Sequence, residues 1–272
     1  MSDDVAMPEA GTLGRETRRF DHRDFSVERL SGLKGHRTVS VCIPARNEAA
    51  TVGAVVRRVR GLALASEPGL VDEVIVVDDG SSDDTVAAAA DNGATVVRNP
   101  TGAAGKGQAM RRGLEASTGD FLVFLDADVT NFGPHFVTGL VGPLLLDEGV
   151  RLVKAHYRRP LDGEPEGGGR VTELVARPLI DLLFPQLAGV VQPLAGETAA
   201  PRAVLEQCGL ADGYAVELAL LVDVAARHGI GSIAQVDLGA RAHRNRPLAE
   251  LRPQATDILR VALERAGLLT PD

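Results

Sequence analysis

The chain has 272 residues, of which 44% are hydrophobic, and a formal net charge of −8. This length supports a sizeable core in one large domain or two small ones. The acidic balance, the lack of tryptophan and the aromatic content of 3% argue against a nucleic-acid-binding protein, which needs a basic face and stacking rings.

The sequence also bears on the cellular compartment. No apolar run reaches membrane-spanning length, and the N-terminus is polar and mixed in charge, so we expect neither a membrane contact nor a signal peptide. Cys42 lies inside an apolar run and Cys208 lies near the end of a predicted helix. Both positions fit reduced thiols, which predicts a cytoplasmic protein.

The first 38 residues combine charges and glycines with little periodicity. They predict a flexible N-terminal arm, with at most a short helix near residues 25–33. A single domain is expected over residues 39–272, because no later segment looks like a linker.

Apolar, strand-like segments alternate with helical segments in the first half of the chain. The predicted strands cover residues 39–43, 74–77, 95–97 and 121–125, and the predicted helices cover residues 49–60, 83–92 and 105–116. This alternation predicts an α/β fold with a mostly parallel sheet and helices on both faces.

The second half is less regular. It predicts strands at residues 152–157 and 233–238, helices at 171–184, 214–228 and 248–266, and a tight turn at 192–197. Pro178 is expected to kink or divide the first of these helices, because proline removes a helical hydrogen bond.

Polar clusters follow three of the predicted strands, at residues 44–48, 78–80 and 126–128. Ligands bind beyond the carboxyl ends of the strands in such sheets, so these clusters predict a nucleotide-type site. Asp126 and Asp128 end a buried strand, where carboxylates need a cation. Mg²⁺ or Mn²⁺ fits this pair, but a solvated turn fits the short pattern equally well.

Other motifs of the first half also admit two interpretations. Glu48, with the backbone of Pro44 and Ala45, fits either recognition of a base and ribose or a plain helix start. Asp79 fits either a nucleoside contact or an Asx turn. Lys106, in a small-residue loop that lacks the P-loop spacing, fits either a diphosphate contact or a surface lysine.

Two features of the second half concern anions and sugars. Gly169, Arg170 and Thr172 stand at a predicted helix start, where backbone amides and a guanidinium favour an anion site. Glu217 lies on a predicted helix and fits either contacts to sugar hydroxyls or a solvated carboxylate.

The basic run at residues 241–246 follows an apolar strand. It fits either a solvated charged face or an extension of the sheet edge that carries Asp128. In the second case His243 is a plausible further metal ligand, because imidazole and carboxylate both serve Mn²⁺ and tolerate Mg²⁺.

These motifs resemble those of the GT-A fold glycosyltransferases that use nucleotide-diphosphate sugars, and more narrowly the actinobacterial glucosyl-3-phosphoglycerate synthases. The shared segments are residues 44–48, 105–107, 126–128, 152–154, 157–160, 167–178, 192–197, 213–217 and 234–247. The resemblance implies transfer of glucose from UDP-glucose to the 2-hydroxyl of 3-phosphoglycerate. It also implies retention at the anomeric carbon, a Mg²⁺ or Mn²⁺ cofactor and a homodimer.

The resemblance implies a role for each matching residue. The implied metal ligands are Asp128 and His243. The implied catalytic residues are Asp126, Asp128, Leu194 and Glu217, with Leu194 acting through its backbone carbonyl. The implied donor site comprises Pro44, Ala45, Arg46, Glu48, Asp79, Lys106, Asp126, Ala127, Tyr214, Glu217 and Arg241. The implied acceptor site comprises Gly169, Arg170, Thr172 and Asn245.

The same resemblance divides the domain into a nucleotide-sugar half at residues 39–150, an acceptor half at 151–247 and a C-terminal helix at 248–272. Two positions depart from the common pattern. Ala127 stands where serine is frequent, and Arg46 stands where a small apolar residue is frequent. Two alternatives remain open, namely a mannosyl-3-phosphoglycerate synthase that uses GDP-mannose and a non-catalytic nucleotide-sugar-binding protein.

Overall fold

The computed structural model describes residues 16–65, 69–100, 105–158, 169–242 and 248–270. Within these residues the chain forms eight strands and nine α-helices. The strands are β1 (Arg18–Asp21), β2 (Val39–Ala45), β3 (Glu73–Asp78), β4 (Thr95–Arg98), β5 (Phe121–Phe124), β6 (Leu152–Arg158), β7 (Thr198–Pro201) and β8 (Ile233–Ala240). The helices are α1 (Val27–Lys34), α2 (Val52–Leu64), α3 (Thr85–Asp91), α4 (Lys106–Ala116), α5 (His135–Leu146), α6 (Arg177–Leu183), α7 (Arg202–Cys208), α8 (Val216–His228) and α9 (Leu248–Arg265).

The eight strands form one sheet in the order β1-β8-β6-β7-β5-β2-β3-β4. Only β7, among the described strands, runs antiparallel to its neighbours β5 and β6. The predicted α/β fold with a mostly parallel sheet is therefore confirmed.

Two apolar cores cover the two faces of the sheet, because successive strand residues point to opposite sides. In β3, Val74 and Val76 join the core that contains α2 and α5. Ile75 and Val77 join the core that contains α4 and α8. The expected helices on both faces are therefore present.

The predicted N-terminal arm differs from the structure after residue 15. Residues 18–21 form β1, which pairs in parallel with β8, and Leu30 of α1 is fully buried. The short helix expected near residues 25–33 is present as α1. The prediction of a flexible arm is wrong for β1 and α1, because a four-residue edge strand leaves little periodicity to detect. Residues 1–15 lie outside the described part of the chain.

Helix α5 lies centrally and has no counterpart among the predicted elements. Residues 136–145 of this helix are all buried, and its interior contains Pro143. A helix that is apolar on every side has no amphipathic period, which explains why the pattern did not reveal it.

The helix predicted over residues 171–184 takes an unusual form. The segment Thr172–Ala176 is a π-helical turn, and α6 continues from Arg177. Pro178 lies in the first turn of α6, where a missing N–H costs little. The expected irregularity near Pro178 is therefore confirmed, and π turns often occur at functional sites.

Within the residues described, no helix combines the length and the apolar character that crossing a bilayer requires.

Candidate active site

A pocket opens at the carboxyl ends of β2, β3 and β5. It is lined by Pro44, Ala45, Arg46, Glu48, Asp79, Lys106, Ala109, Asp126, Ala127, Asp128, Gly169, Arg170, Val171, Thr172, Leu194, Tyr214, Glu217, Arg241, Leu251, Gln254 and Ile258. All predicted site residues within the described ranges therefore border one pocket. His243 and Asn245 lie outside the described residues.

The wall formed by β2 and β3 is built from backbone and loop contacts. The Asp79 N–H donates to the Ala45 carbonyl at 2.9 Å. The Asp79 carboxylate accepts from the Gly105 N–H at 3.0 Å and from the Asn99 side-chain amide at 2.7 Å. Asp79 therefore binds both Asn99 and Gly105, the residue before Lys106, through contacts that the sequence did not predict.

Glycines on either side allow Lys106 to begin α4 at the pocket floor. Gly105 has a φ of 133°, which side chains larger than hydrogen rarely tolerate. A Cβ atom on Gly107 would overlap the Ala211 carbonyl. Lys106 therefore enters the pocket because the backbone packs against residues 211–213.

The pocket floor is a chain of ion pairs. The Lys106 ammonium lies 2.6 Å from an Asp126 oxygen and 2.7 Å from a Glu217 oxygen. Nη2 of Arg241 lies 2.8 Å from the other Asp126 oxygen and 2.7 Å from an Asp128 oxygen. Two cations therefore bridge three carboxylates, two from the segment after β5 and one from α8.

Arg241 extends this chain into the core. Its Nε lies 2.9 Å from Glu197, which is fully buried. The Tyr157 hydroxyl donates to the same carboxylate at 2.6 Å, and the Arg241 guanidinium lies 5.4 Å from the centre of the Tyr157 ring. The guanidinium is thus held on several sides.

Both cations stay charged at neutral pH. Burial acts to lower the pKa of Lys106, but the carboxylates of Asp126 and Glu217 outweigh it and raise that pKa above its usual value. Burial likewise opposes the charge of Arg241, and Glu197 is the strongest of the groups that raise its pKa. Neighbouring opposite charges thus outweigh desolvation in both cases.

The predicted turn at residues 192–197 is confirmed. The Ala195 N–H donates to the Gln192 carbonyl at 3.1 Å, and Leu194 faces the pocket. A Cβ atom on Gly196 would collide with the Asp126 carboxylate and the Lys106 ammonium. Glycine is therefore needed where this turn rests on the ion-pair chain.

The opposite wall begins where the chain becomes helical at Arg170. Gly169 has a φ of 94°, and its carbonyl accepts from the Glu173 N–H at 3.0 Å. Arg170 and Thr172 line the pocket from this first turn. The arrangement offers a guanidinium and a helix start to an anion.

Helix α9 supplies a wall that the sequence did not predict. Leu251, Gln254 and Ile258 border the pocket at intervals of three and four residues, which places them on one helical face. The periodicity of α9 was recognisable in the sequence, but its packing partner was not.

The carboxylates of Asp126 and Asp128 fit a divalent cation in part. Mg²⁺ commonly takes one or two carboxylates together with substrate phosphates. Within the described ranges no cluster of three or more histidine, cysteine or acidic residues could hold a metal. A complete site therefore needs a further ligand, such as substrate phosphate or His243, which follows Arg241 by two residues.

The chain is similar to known glycosyltransferases. The model of the glycosyl transferase family 2 matches residues 40–161. The glucosyl-3-phosphoglycerate synthase of Mycobacterium tuberculosis strain H37Rv is 47% identical over 257 residues. That match covers 90% of this chain and 78% of the relative.

Solved structures agree with the sequence match. A crystal structure of the M. tuberculosis synthase in complex with Mn²⁺, UDP-glucose and phosphoglyceric acid superposes with a TM-score of 0.85 at 46% identity, covering 94% of this chain and 88% of that one. A structure of the same enzyme in complex with Mg²⁺ and UDP has a TM-score of 0.85 at 45% identity, with the same coverage.

Replacing Glu197 tests the buried end of the ion-pair chain. We expect Glu197→Gln to lower the free energy of unfolding by about 3–5 kcal/mol, because the substitution leaves a buried guanidinium without one of its counter-charges. Urea unfolding of the purified variant measures the change.

The matched control is Glu206→Gln, which changes the same residue type in an exposed pair 3.5 Å from Arg202. An exposed pair contributes only about 0–1 kcal/mol. If the two variants unfold with equal free energies, Glu197 does not stabilise the network.

Proposed function

The chain belongs to the glucosyl-3-phosphoglycerate synthase family, and we propose that it transfers glucose from UDP-glucose to the 2-hydroxyl of 3-phosphoglycerate. The product is glucosyl-3-phosphoglycerate. The observation that carries the proposal is one pocket that joins the Asp126–Asp128 pair and Lys106 to the helix start at Arg170. A diphosphate and a phosphorylated acid thus find cationic partners on two sides of the same space.

The donor occupies the side formed by β2, β3 and β5. Pro44, Ala45, Glu48 and Asp79 hold the uridine, since these residues end two neighbouring parallel strands. Lys106 neutralises the diphosphate, and Glu217, only 5% exposed, accepts hydrogen bonds from glucose hydroxyls. Arg46, Ala127 and Tyr214 complete the donor wall.

The cofactor is Mg²⁺ or Mn²⁺, held by Asp128 and His243. When bound, it neutralises the leaving diphosphate as a Lewis acid. Arg241 and Lys106 offset the charge of the two aspartates in the described structure. Arg241 would share the Asp128 carboxylate with the bound cation.

The acceptor occupies the side formed by Gly169, Arg170, Thr172 and Asn245. The Arg170 guanidinium matches a phosphate or carboxylate with paired donors. Holding the acceptor hydroxyl next to the donor sugar converts a bimolecular step into an effectively unimolecular one.

The reaction proceeds with retention at the anomeric carbon. The carboxylates nearest the floor, Asp126 and Glu217, are both paired with Lys106, which makes them poor nucleophiles for a covalent intermediate. Leu194 borders the pocket, and its backbone carbonyl stabilises positive charge that develops on the sugar. The acceptor proton passes to the leaving phosphate on the same face.

Three further proposals concern the whole protein. It acts as a homodimer, as the family resemblance implies. It works in the cytoplasm, an assignment supported by two free cysteines, Cys42 and Cys208. Residues 39–150 form the nucleotide-sugar half and residues 151–247 form the acceptor half, which also contributes Tyr214 and Glu217 to the donor site. In the C-terminal segment 248–272, helix α9 closes the pocket, as Leu251 at its edge suggests.

Nucleotide release tests the activity. With Mg²⁺ and 3-phosphoglycerate, we expect UDP release from UDP-glucose and an α-linked product by proton NMR. Faster GDP release from GDP-mannose would favour the mannosyl alternative. No release with either donor, despite UDP binding, would identify a non-catalytic nucleotide-sugar-binding protein, and a β-linked product would exclude retention.

Replacing Asp128 tests the metal assignment. We expect Asp128→Asn to lower metal-dependent turnover by about 100-fold or more, because metal stabilisation of the leaving group supplies several kcal/mol. The control is Asp147→Asn, which changes an exposed aspartate paired with Arg18 away from the pocket. Equal turnover in both variants would remove Asp128 from the metal site.

Replacing Arg170 tests the acceptor assignment. We expect Arg170→Gln to raise the KM for 3-phosphoglycerate by about 10- to 100-fold, which corresponds to one charge-assisted hydrogen bond. The KM for UDP-glucose should change little. Arg227→Gln, at an exposed position near the end of α8, is the control, and equal effects on the two substrates would place Arg170 elsewhere.

A further inference from the structure

A buried lysine lies beneath the turn that faces the donor sugar. Lys154 belongs to β6 and is only 2% exposed. Its ammonium donates a hydrogen bond to the Ala195 carbonyl at 2.5 Å. Ala195 directly follows Leu194, which borders the pocket, so this bond fixes the peptide unit next to that of Leu194.

Keeping a charge in this position is costly, because a buried ammonium loses its hydration. Burial lowers the pKa of Lys154 to about 8. The charged groups that face it are Glu217 of α8, Lys106 of α4, Glu197 of the turn and Asp126 after β5. The lysine is therefore still mainly protonated at neutral pH, and its hydrogen bond to the carbonyl is charge-assisted.

Other contacts also hold the turn at residues 192–197 in place. The Ala195 N–H bonds the Gln192 carbonyl, and the Glu197 carbonyl accepts from the Ala155 N–H at 3.1 Å. Gly196 rests on the Asp126 carboxylate. The Lys154 side chain reaches this turn from β6 and binds the carbonyl of Ala195 in the middle of the turn.

Another buried lysine shows what a purely structural role looks like. Lys34 of α1 is also 2% exposed, but its ammonium pairs with Asp72 at 2.6 Å and with the Gly69 carbonyl. Within the described residues, Lys154 has no carboxylate at ion-pair distance, and its hydrogen bond goes to the turn. Neither lysine borders the pocket, but only Lys154 bonds the turn that contains the pocket-lining residue Leu194.

We propose that Lys154 is a positioning residue of the transfer reaction, which holds the Leu194 carbonyl against the reacting sugar through its bond to Ala195. This role rests on the proposed function. Lys154 would affect the rate by fixing the position of the Leu194 carbonyl, since a misplacement of about 1 Å at a reacting group can cost about 100-fold in rate.

The test compares Lys154→Met with Lys34→Met in the full-length chain. Both variants replace a buried lysine with an apolar side chain of similar length. We expect Lys154→Met to lower kcat by about 10- to 100-fold while the KM values for UDP-glucose and 3-phosphoglycerate change less than about threefold. Lys34→Met should leave kcat near the wild-type value, although its thermal stability falls.

Hydrogen exchange provides a readout that is independent of turnover. Backbone amides of residues 192–197 should exchange faster in Lys154→Met than in the wild type and in Lys34→Met, because the middle of the turn loses its anchor. UDP binding, measured by calorimetry, should persist in both variants and shows that each remains folded.

The outcomes separate this proposal from the proposed function. If the wild type releases UDP and Lys154→Met keeps its kcat, or loses it only in proportion to Lys34→Met, Lys154 is structural and the proposal fails. If Lys154→Met exchanges slowly at residues 192–197 but loses kcat, the mechanism through the turn fails. If the wild type itself releases no UDP, the proposed function fails, and the exchange data alone then decide whether Lys154 anchors the turn.

Discussion

Lys106 and Arg241 place two positive charges among carboxylates that belong to different parts of the chain. Asp126 follows β5, Glu217 stands in the first turn of α8, and Glu197 precedes β7. Carboxylates brought together in a poorly hydrated site repel one another strongly. These elements can therefore meet only because the two cations lie between their carboxylates. The pocket is therefore a meeting point of elements that electrostatics holds together, and packing alone would not specify it.

The sequence predicted the strands and amphipathic helices that have a clear hydrophobic periodicity. It missed the elements that have none. The parallel strands from β2 to β5 alternate with amphipathic helices, and this pattern is informative. β7 was not predicted, and α7 was expected only as a helix end near Cys208, because Thr198–Pro201 is a four-residue strand of small residues and α7 has only seven residues. β7 nevertheless joins β5 to β6, so a segment with almost no sequence signal unites the two halves of the sheet.

The sequence predicted which strand ends and helix starts border the pocket better than it predicted the elements around them. Motifs at strand ends and helix starts locate Asp126, Asp79 and Arg170, because backbone geometry places such positions at a shared edge. Contacts between distant segments were not predictable from one sequence. Glu197 and Lys154 are a buried acid and a buried base whose partners come from other elements, and periodicity gives no sign of which partner each will meet.

The position of β1 has a consequence for synthesis on the ribosome. Of the described strands, β1 is translated first. Its neighbour in the sheet is β8, which ends at Ala240. Pairings between such distant segments require closure of a long loop and form late. β6 likewise reaches the first half of the sheet only after β7 has been made. Arg241 follows β8, so the ion-pair chain closes only after β8 has been translated. A nascent chain is thus without its completed pocket until β8 and Arg241 have been made, and a product truncated before them would leave Asp126 and Asp128 without the Arg241 guanidinium.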